Sequence, residues 1–321
     1  MTNIKYSPGC FGKLPKFADF VKFNSGNSEI LYFDKWLQNG LQFARIKLTA
    51  NFNSEYSSAD LVQFIFPIQT TGNSLLGTLI PSNDKSGRKY PFNISTPIGN
   101  DTDSDFAHFL PLAFEEYFSN SEQIITQLND IEKIDDIISA IENQFNQTEV
   151  NVSHKKLQYQ EYLNITTTHK LWNRLFGNFD DERKYLLLYN LTEILLPLQN
   201  KPLNNFTLGL KIPIVSENEF MYSNISFWID VCLTLIGNKK VKPFLFWLKN
   251  SNTLEHNLIL FLSQPPNENF VHLIDQSFLM DNICLTEKEG NIDNCLEQMD
   301  EKYKKLLEQK DLSLNQFLQS I

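Results

Sequence analysis

The sequence predicts a mixed α/β fold: a layered first domain with a central, largely antiparallel sheet flanked by helices, followed by a second α/β domain. Three observations lead there. Apolar residues recur at helical spacing in some segments and crowd into short β-branched and aromatic runs in others. The short runs of the first half are joined by turn-rich connections, which suit neighbouring antiparallel strands. Helix and strand signals are mixed in both halves of the chain, which implies layered α/β packing in each.

Residues 4–22 mix Gly, Pro and aromatics and read as a short strand followed by a turn about Leu14 and Pro15. Phe33, Trp36, Leu37, Leu41, Ala44 and Leu48 then fall at spacings of three, four or their sums, so they share one helix face. Gly40 weakens that helix by about 1 kcal/mol relative to Ala without forbidding it. Residues 61–68, 74–81 and 91–98 read as three strands. Between the second and third lies SNDKSGRKY, whose Asn, Asp, Ser and Gly are turn formers.

A helix is expected from His108 to Phe118, with Pro111 tolerated in its first turn. Ile124, Leu128, Ile131, Ile134, Ile138, Ile141 and Phe145 form a single apolar stripe, predicting one long helix. The polar stretch NQTEVNVSHKKLQYQ carries little periodicity and places a boundary near 147–160, giving domains 1–150 and 151–321. In the second half, helices are predicted over 181–196 and 223–236 and a strand over 205–215. Phe227, Trp228, Val231, Cys232 and Leu235 line one face of the second helix. KPFLFWLK and LEHNLILFLS flank Asn250, Ser251 and Asn252 as a hairpin. A helix around 267–276 and a charged helix from Glu287 to Gln309 complete the reading.

At roughly 100–200 residues per domain, 321 residues accommodate two. A hydrophobic content of 42%, with 26 Phe, suffices for packed cores. The net charge of -10 fits a solvated acidic surface or a basic partner. No basic stripe alternates with aromatics, which argues against nucleic acid. The opening MTNIKYSPGCFGKLPK lacks the apolar core of a signal peptide. The longest greasy run, Tyr185 to Leu198, is interrupted by Asn190, Thr192 and Glu193 and is too short to span a bilayer. The expectation is a cytoplasmic protein with no membrane insertion. Cys10, Cys232, Cys284 and Cys295 form no CxxC pair and are expected to remain thiols.

Catalytic signatures are missing from the sequence. Gly12 and Lys13 come nearest to a phosphate-cradling loop, but Leu14 replaces the required hydroxyl and Ser7 the first Gly. There is no GxSxG elbow and no HExxH. The five His, at 108, 154, 169, 256 and 272, are isolated, whereas zinc ligands usually cluster. Asp135 with Asp136, Asp180 with Asp181, and Glu115 with Glu116 are adjacent pairs, which do not face one another on a helix. A pair assembled from distant segments is the arrangement that sequence spacing leaves open.

Two segments stand out: Gly9-Cys10-Phe11-Gly12-Lys13-Leu14-Pro15, continuing Lys16-Phe17-Ala18-Asp19-Phe20-Val21, and Pro81-Ser82-Asn83-Asp84-Lys85-Ser86-Gly87-Arg88-Lys89-Tyr90-Pro91-Phe92. With Phe33-Asp34-Lys35-Trp36-Leu37 they resemble, in order and spacing, the motif blocks of the TagF (ImpM) family. The resemblance covers roughly residues 6–115. Ala18 stands where the family usually has Gly, and Tyr90 stands for Phe. The pairs Phe227-Trp228 and Phe246-Trp247 are similar to aromatic pairs of longer members.

The resemblance implies a cytosolic accessory protein of type VI secretion, without catalytic activity or cofactor. It would restrain the apparatus post-translationally by contact with a forkhead-associated (FHA) domain scaffold or another cytosolic component. An assembly subunit and a metal-dependent hydrolase or phosphatase are the alternatives. Gly9, Gly12, Pro15, Trp36, Pro81, Gly87 and Pro91 read as structural positions, with Asp84 capping a turn and Gly87 at positive φ. Lys13, Asp19, Asp84 and Arg88 form the candidate protein-interaction patch. The planar guanidinium of Arg88 suits bidentate recognition.

Overall fold

Residues 3–99, 104–128, 130–145, 149–249 and 256–321 are described by a computed structural model. In chain order the elements that frame it are β1 (Asn3–Lys5), β2 (Gly9–Gly12), β3 (Val21–Phe23), the helix α1 (Ser28–Leu48), β4 (Val62–Pro67), β5 (Ser74–Ile80) and β6 (Phe92–Ile98). They are followed by β7 (Glu149–Asn151), β8 (Gly209–Ile214), β9 (Phe244–Lys249), β10 (His256–Phe261) and β11 (Ile283–Leu285). Among the described residues, nine strands join one sheet in the order β11-β8-β10-β9-β4-β5-β6-β2-β3. All its pairings are antiparallel except β11 with β8. The expected mixed α/β class with a largely antiparallel sheet is therefore what the chain adopts.

The three central strands of the first half fall where the β-branched and aromatic runs placed them, paired through short connections as neighbours. Every residue of β4 is buried, because helices cover both faces of the sheet. Alternation then sorts the side chains into two layers. Val62, Phe64 and Phe66 of β4, with Phe244, Phe246 and Leu248 of β9, meet α1 and the helix Phe270–Ile274. Ile65, Leu245 and Trp247 point the other way, onto helices including Glu115–Gln127 and Asn218–Leu235.

The expected boundary at 150/151 crosses this sheet. Val62, Gln63, Phe64 and Ile65 of β4 pair with Leu248, Trp247, Phe246 and Leu245 of β9, so the two halves share one sheet. Gln63 is fully buried at this seam. Its Oε1 accepts from Trp247 Nε1 at 2.6 Å and from the Tyr222 hydroxyl at 3.1 Å. Its Nε2 donates to the Phe118 carbonyl at 3.2 Å. One satisfied amide thus ties both halves together, and an unsatisfied one would be costly in such a place.

α1 starts where the Asn27 side chain accepts the Ile30 N–H at 2.9 Å, an N-cap. Arg45 and Lys47 in its last turn suit the negative end of the helix dipole. Its buried face carries Phe33, Trp36, Leu37, Leu41, Ala44 and Leu48, as the spacing predicts. Gly40 lies on that face against Phe270, so the side chain it lacks makes room for a neighbouring helix.

Several boundaries differ from the sequence reading. The helix expected from His108 to Phe118 is broken. A 3₁₀ turn, Ser104–Phe109, and the short helix Leu110–Ala113 precede a new helix at Glu115, because Phe114 has non-helical angles. The stripe from Ile124 to Phe145 is divided between the helices Glu115–Gln127 and Ile134–Gln144. Lys133 is extended between them, and Ile137 and Ile141 carry the burial of the second while Ile134 is exposed.

In the segment read as a polar boundary, β7 pairs with β1 and Asn151 caps the helix Val152–Ile165. That helix buries Tyr159, Tyr162 and Leu163 but leaves Leu157 and Ile165 exposed, which is why its periodicity is faint. The charged tail is three helices, Ile292–Gln298, Glu301–Glu308 and Leu314–Ser320, each with its own side-chain cap from Asn291, Asp300 or Ser313. Asn250, Ser251 and Asn252 lie outside the described residues, but the flanking strands β9 and β10 pair antiparallel as a hairpin requires.

Cys10, Cys232, Cys284 and Cys295 are buried free thiols, and burial pushes Cys10 up to about 12 and Cys295 up to about 11. Among the described residues no helix is long and apolar enough to cross a membrane.

Trp36 is 2% exposed, stacks on Phe246 and donates from Nε1 to the Pro265 carbonyl at 3.0 Å. It therefore bridges α1 to second-half elements. Trp36→Ala should destabilise the protein by about 3–5 kcal/mol in urea unfolding, through the cavity and the lost hydrogen bond. An unchanged midpoint would mean that α1 does not hold to this face.

Candidate functional site

The three motif blocks meet along α1, between Asp34 and Arg45. The loop joining β5 to β6 folds back on itself, with Gly87 N–H donating to the Asp84 carbonyl at 2.8 Å and Tyr90 N–H to the Ser82 carbonyl at 3.0 Å. Gly87 takes φ +85, the left-handed conformation that such a turn needs. The first block is laid against this loop, because Lys85 N–H donates to the Phe17 carbonyl at 2.8 Å. Gly12 permits the approach. A side chain there would fall 2.2 Å from the Pro91 carbonyl oxygen, and its φ is +142. The third block joins through Asp34, which accepts a hydrogen bond from the Tyr90 hydroxyl.

At the centre sits Asp84, with no exposed surface. Its Oδ2 accepts from Lys13 Nζ at 2.8 Å and from Arg88 Nε at 2.6 Å. Its Oδ1 accepts from Ser86 Oγ at 2.7 Å and from the backbone N–H groups of Ser86 and Arg88, each at 3.0 Å. Burial alone would raise this carboxyl's pKa. The bonds from Lys13, Ser86 and Arg88 outweigh burial and hold it far below the usual carboxylate range. Asp84 is thus held as an anion with both oxygens occupied, and it organises the loop.

The other sequence candidates divide around it. The Lys13 side chain is 9% exposed, and its ammonium also lies 5.2 Å from the centre of the Phe20 ring. Arg88 reaches back to the Ala18 carbonyl with Nη2 at 3.0 Å, yet its side chain remains 63% exposed. Asp19 is exposed and stands outside the Asp84 network. Ala18, where the resemblance predicts Gly, is not at positive φ, so its methyl is accommodated without strain.

Arg45, Phe20 and Lys89 complete the surroundings, and sequence reasoning missed their part. Arg45 Nη2 donates to the Lys89 carbonyl at 3.0 Å, tying α1 to the loop. Phe20 stacks on Phe11 at 5.1 Å and meets the edge of Tyr90 at 5.0 Å. Between α1 and the loop lies an open groove of about 1100 Å³, with Lys13, Arg45, Arg88, Lys89, Phe20 and Tyr90 among its walls. The available signal was a cation on the polar side of an amphipathic helix, which reads as ordinary solvated charge.

The buried ion pair makes two tests. Lys13→Met removes the shielded partner of a buried anion, whereas Arg88→Ala removes a more exposed one. The urea midpoint should therefore fall further for Lys13→Met; the reverse order would transfer the structural role to Arg88. The second test is pH. A depressed carboxyl pKa contributes stability above its unfolded value of about 4, and this is lost as pH falls through the folded value. Asp84→Asn should be less stable than wild type at neutral pH, with the gap narrowing below about pH 4. A gap independent of pH would rule out the charge as the cause.

A family model described as TagF N-terminal domain, Type VI secretion system-associated, matches residues 9–143. No curated protein matches the chain. Among solved structures, the crystal structure of PA0076 from Pseudomonas aeruginosa PAO1 is similar over 85% of this chain and 96% of its own. Its TM-score is 0.51 at 15% sequence identity, a likeness of fold. The blocks brought together around Asp84 fall within the matched span, so the part of this chain that is similar to the TagF N-terminal domain, Type VI secretion system-associated, is the part that builds the Asp84 network.

Proposed function

We propose that the protein is a cytoplasmic, non-enzymatic regulator of type VI secretion that acts by binding an FHA-domain scaffold or another cytosolic component and so restrains assembly or firing. The observation that carries this reading is the convergence of three motif blocks, separated in sequence, on one surface beside α1. The buried Asp84 supports a binding role over acid–base chemistry, since both its oxygens are engaged and it reaches no solvent. Arg88 is held at Nε by Asp84 and at Nη2 by the Ala18 carbonyl while its side chain stays largely exposed, as a pre-positioned contact residue would be. Restraint by occupancy requires that the protein bind its partner differently in the resting and assembling states, since a ligand shifts an equilibrium only by that difference.

The test is affinity capture of the tagged protein from its native cells, with and without crosslinking, read by mass spectrometry, beside secretion assays of a deletion strain. Recovery of an FHA-domain protein or other cytosolic type VI components, together with altered secretion on deletion, is the expected result. Capture of no such component together with unchanged secretion would sink the proposal. Recovery in fixed stoichiometry with assembled particles would instead favour an assembly subunit.

A further inference from the structure

The groove between α1 and the loop carries a charge opposite to that of the whole protein. The chain has 38 Asp and Glu against 28 Lys and Arg. Yet four of the groove's lining residues, Lys13, Arg45, Arg88 and Lys89, are cationic and none is acidic. Two carboxylates bind side chains of the lining. Asp84 offsets one of the two charges of Lys13 and Arg88. Asp34, which accepts from Tyr90 and Gln38, offsets a second. Arg45 and Lys89 have no carboxylate within ion-pairing distance among the described residues: Arg45 donates to a carbonyl, and Lys89 Nζ donates to the Ser57 hydroxyl at 2.5 Å. Of the four cations of the lining, Arg45 and Lys89 are therefore the two without a paired carboxylate among the described residues.

Its remaining walls are suited to a polypeptide. Phe20, backed by the buried Tyr90, offers aromatic surface, and Gln42 and Asn53 offer amides to a main chain. Arg beside Tyr and Phe is the composition enriched at protein interfaces and their hot spots. The groove is open along α1, so it can admit a strand of polypeptide passing through. A cationic groove in an anionic body also focuses the field on an approaching anion and speeds encounter.

We infer that this groove binds an acidic, extended peptide segment of a partner protein, with Arg45 and Lys89 as the charge-reading residues and Phe20, seated on the buried Tyr90, as the aromatic floor. This rests on the binding role proposed above and names the chemistry of the partner at that site. Lys13 and Arg88 hold the loop through Asp84, so they are unsuited to the test. Arg45 and Lys89 lie outside that buried network.

The experiment is fluorescence anisotropy with a labelled peptide of alternating Glu and Ala, against the same peptide with Gln for Glu. Wild type should bind the Glu peptide only, and more weakly as salt rises from about 0.1 M to about 1 M, where screening shortens from ~10 Å to ~3 Å. Arg45→Glu with Lys89→Glu should weaken that binding by at least about tenfold, in line with loss of charge complementarity, while far-ultraviolet circular dichroism stays native. If the reversal disturbs folding, Arg45→Gln with Lys89→Gln should give a smaller loss in the same direction. Equal affinity for the Gln peptide, no binding of the Glu peptide, or binding undiminished in the folded variants would each overturn the assignment. The same variants separate the two proposals in capture from cells. If wild type and variant recover type VI components equally, the groove assignment fails and the regulatory reading stands. If wild type recovers none and deletion leaves secretion unchanged, yet the protein binds the Glu peptide through Arg45 and Lys89, the groove assignment stands and the regulatory reading fails.

Discussion

The pairing of β4 with β9 is the contact on which the rest of this structure depends. It joins the half of the chain that carries the motif blocks to the half that does not, at the centre of a sheet buried on both faces. Once those strands align, alternation sends Phe64 and Phe246 towards α1 and Ile65 and Trp247 towards the opposite helices. A slip of one residue would exchange the layers, so register is strongly specified here. Gln63 adds a polar check, since its acceptor must meet both Trp247 and Tyr222.

From that seam the placement of the candidate site follows. α1 is fixed on the sheet by aromatic contacts such as Phe33 on Phe64 at 4.4 Å and Trp36 on Phe246 at 5.5 Å, pairs worth about 0.5–1.5 kcal/mol each beyond burial. Its C-terminal end is thereby presented to the β5–β6 loop, where Arg45 grips the Lys89 carbonyl. The loop is shaped from within by a buried anion with five donors on its two oxygens. The surface is therefore rigid on both sides, one held by apolar packing and the other by charge-assisted hydrogen bonds.

Much of this was legible in the sequence where one physical rule acted alone. α1 is plain because six apolar residues share a face, and β4 to β6 because their runs are β-branched, aromatic and separated by turns. Gly87 was readable as a turn glycine because few residues other than glycine occupy positive φ readily. Reading failed where distant contacts decide. Ile124 to Phe145 keep a helical stripe in the sequence through a break, since apolar spacing alone does not register that the connection turns Ile134 outward and Ile137 inward. The helix Val152–Ile165 was hidden because it buries only three apolar side chains. Of the site, the union of Lys13, Asp84 and Arg88 was legible as a patch, but the sequence could not tell that Asp84 lies inside and Asp19 outside. Nor could it reveal the groove, because Arg45 becomes its wall only when α1 and the loop are docked.

The seam also has a consequence for how the chain is made. Gln63 and Trp247, partners across it, are 184 residues apart. At ribosomal rates of about 5–20 residues per second, β4 would be complete roughly 10–40 s before β9 exists. During that interval β5 can satisfy one side of β4, while the other side presents unpaired backbone groups flanked by Phe64 and Phe66, a template for any passing strand. Pairing so remote in sequence also closes slowly after synthesis. The nascent protein therefore passes through a stage in which a strand destined to be buried along its whole length is its least protected one, and its yield in the cell depends on what shields that edge until the second half arrives.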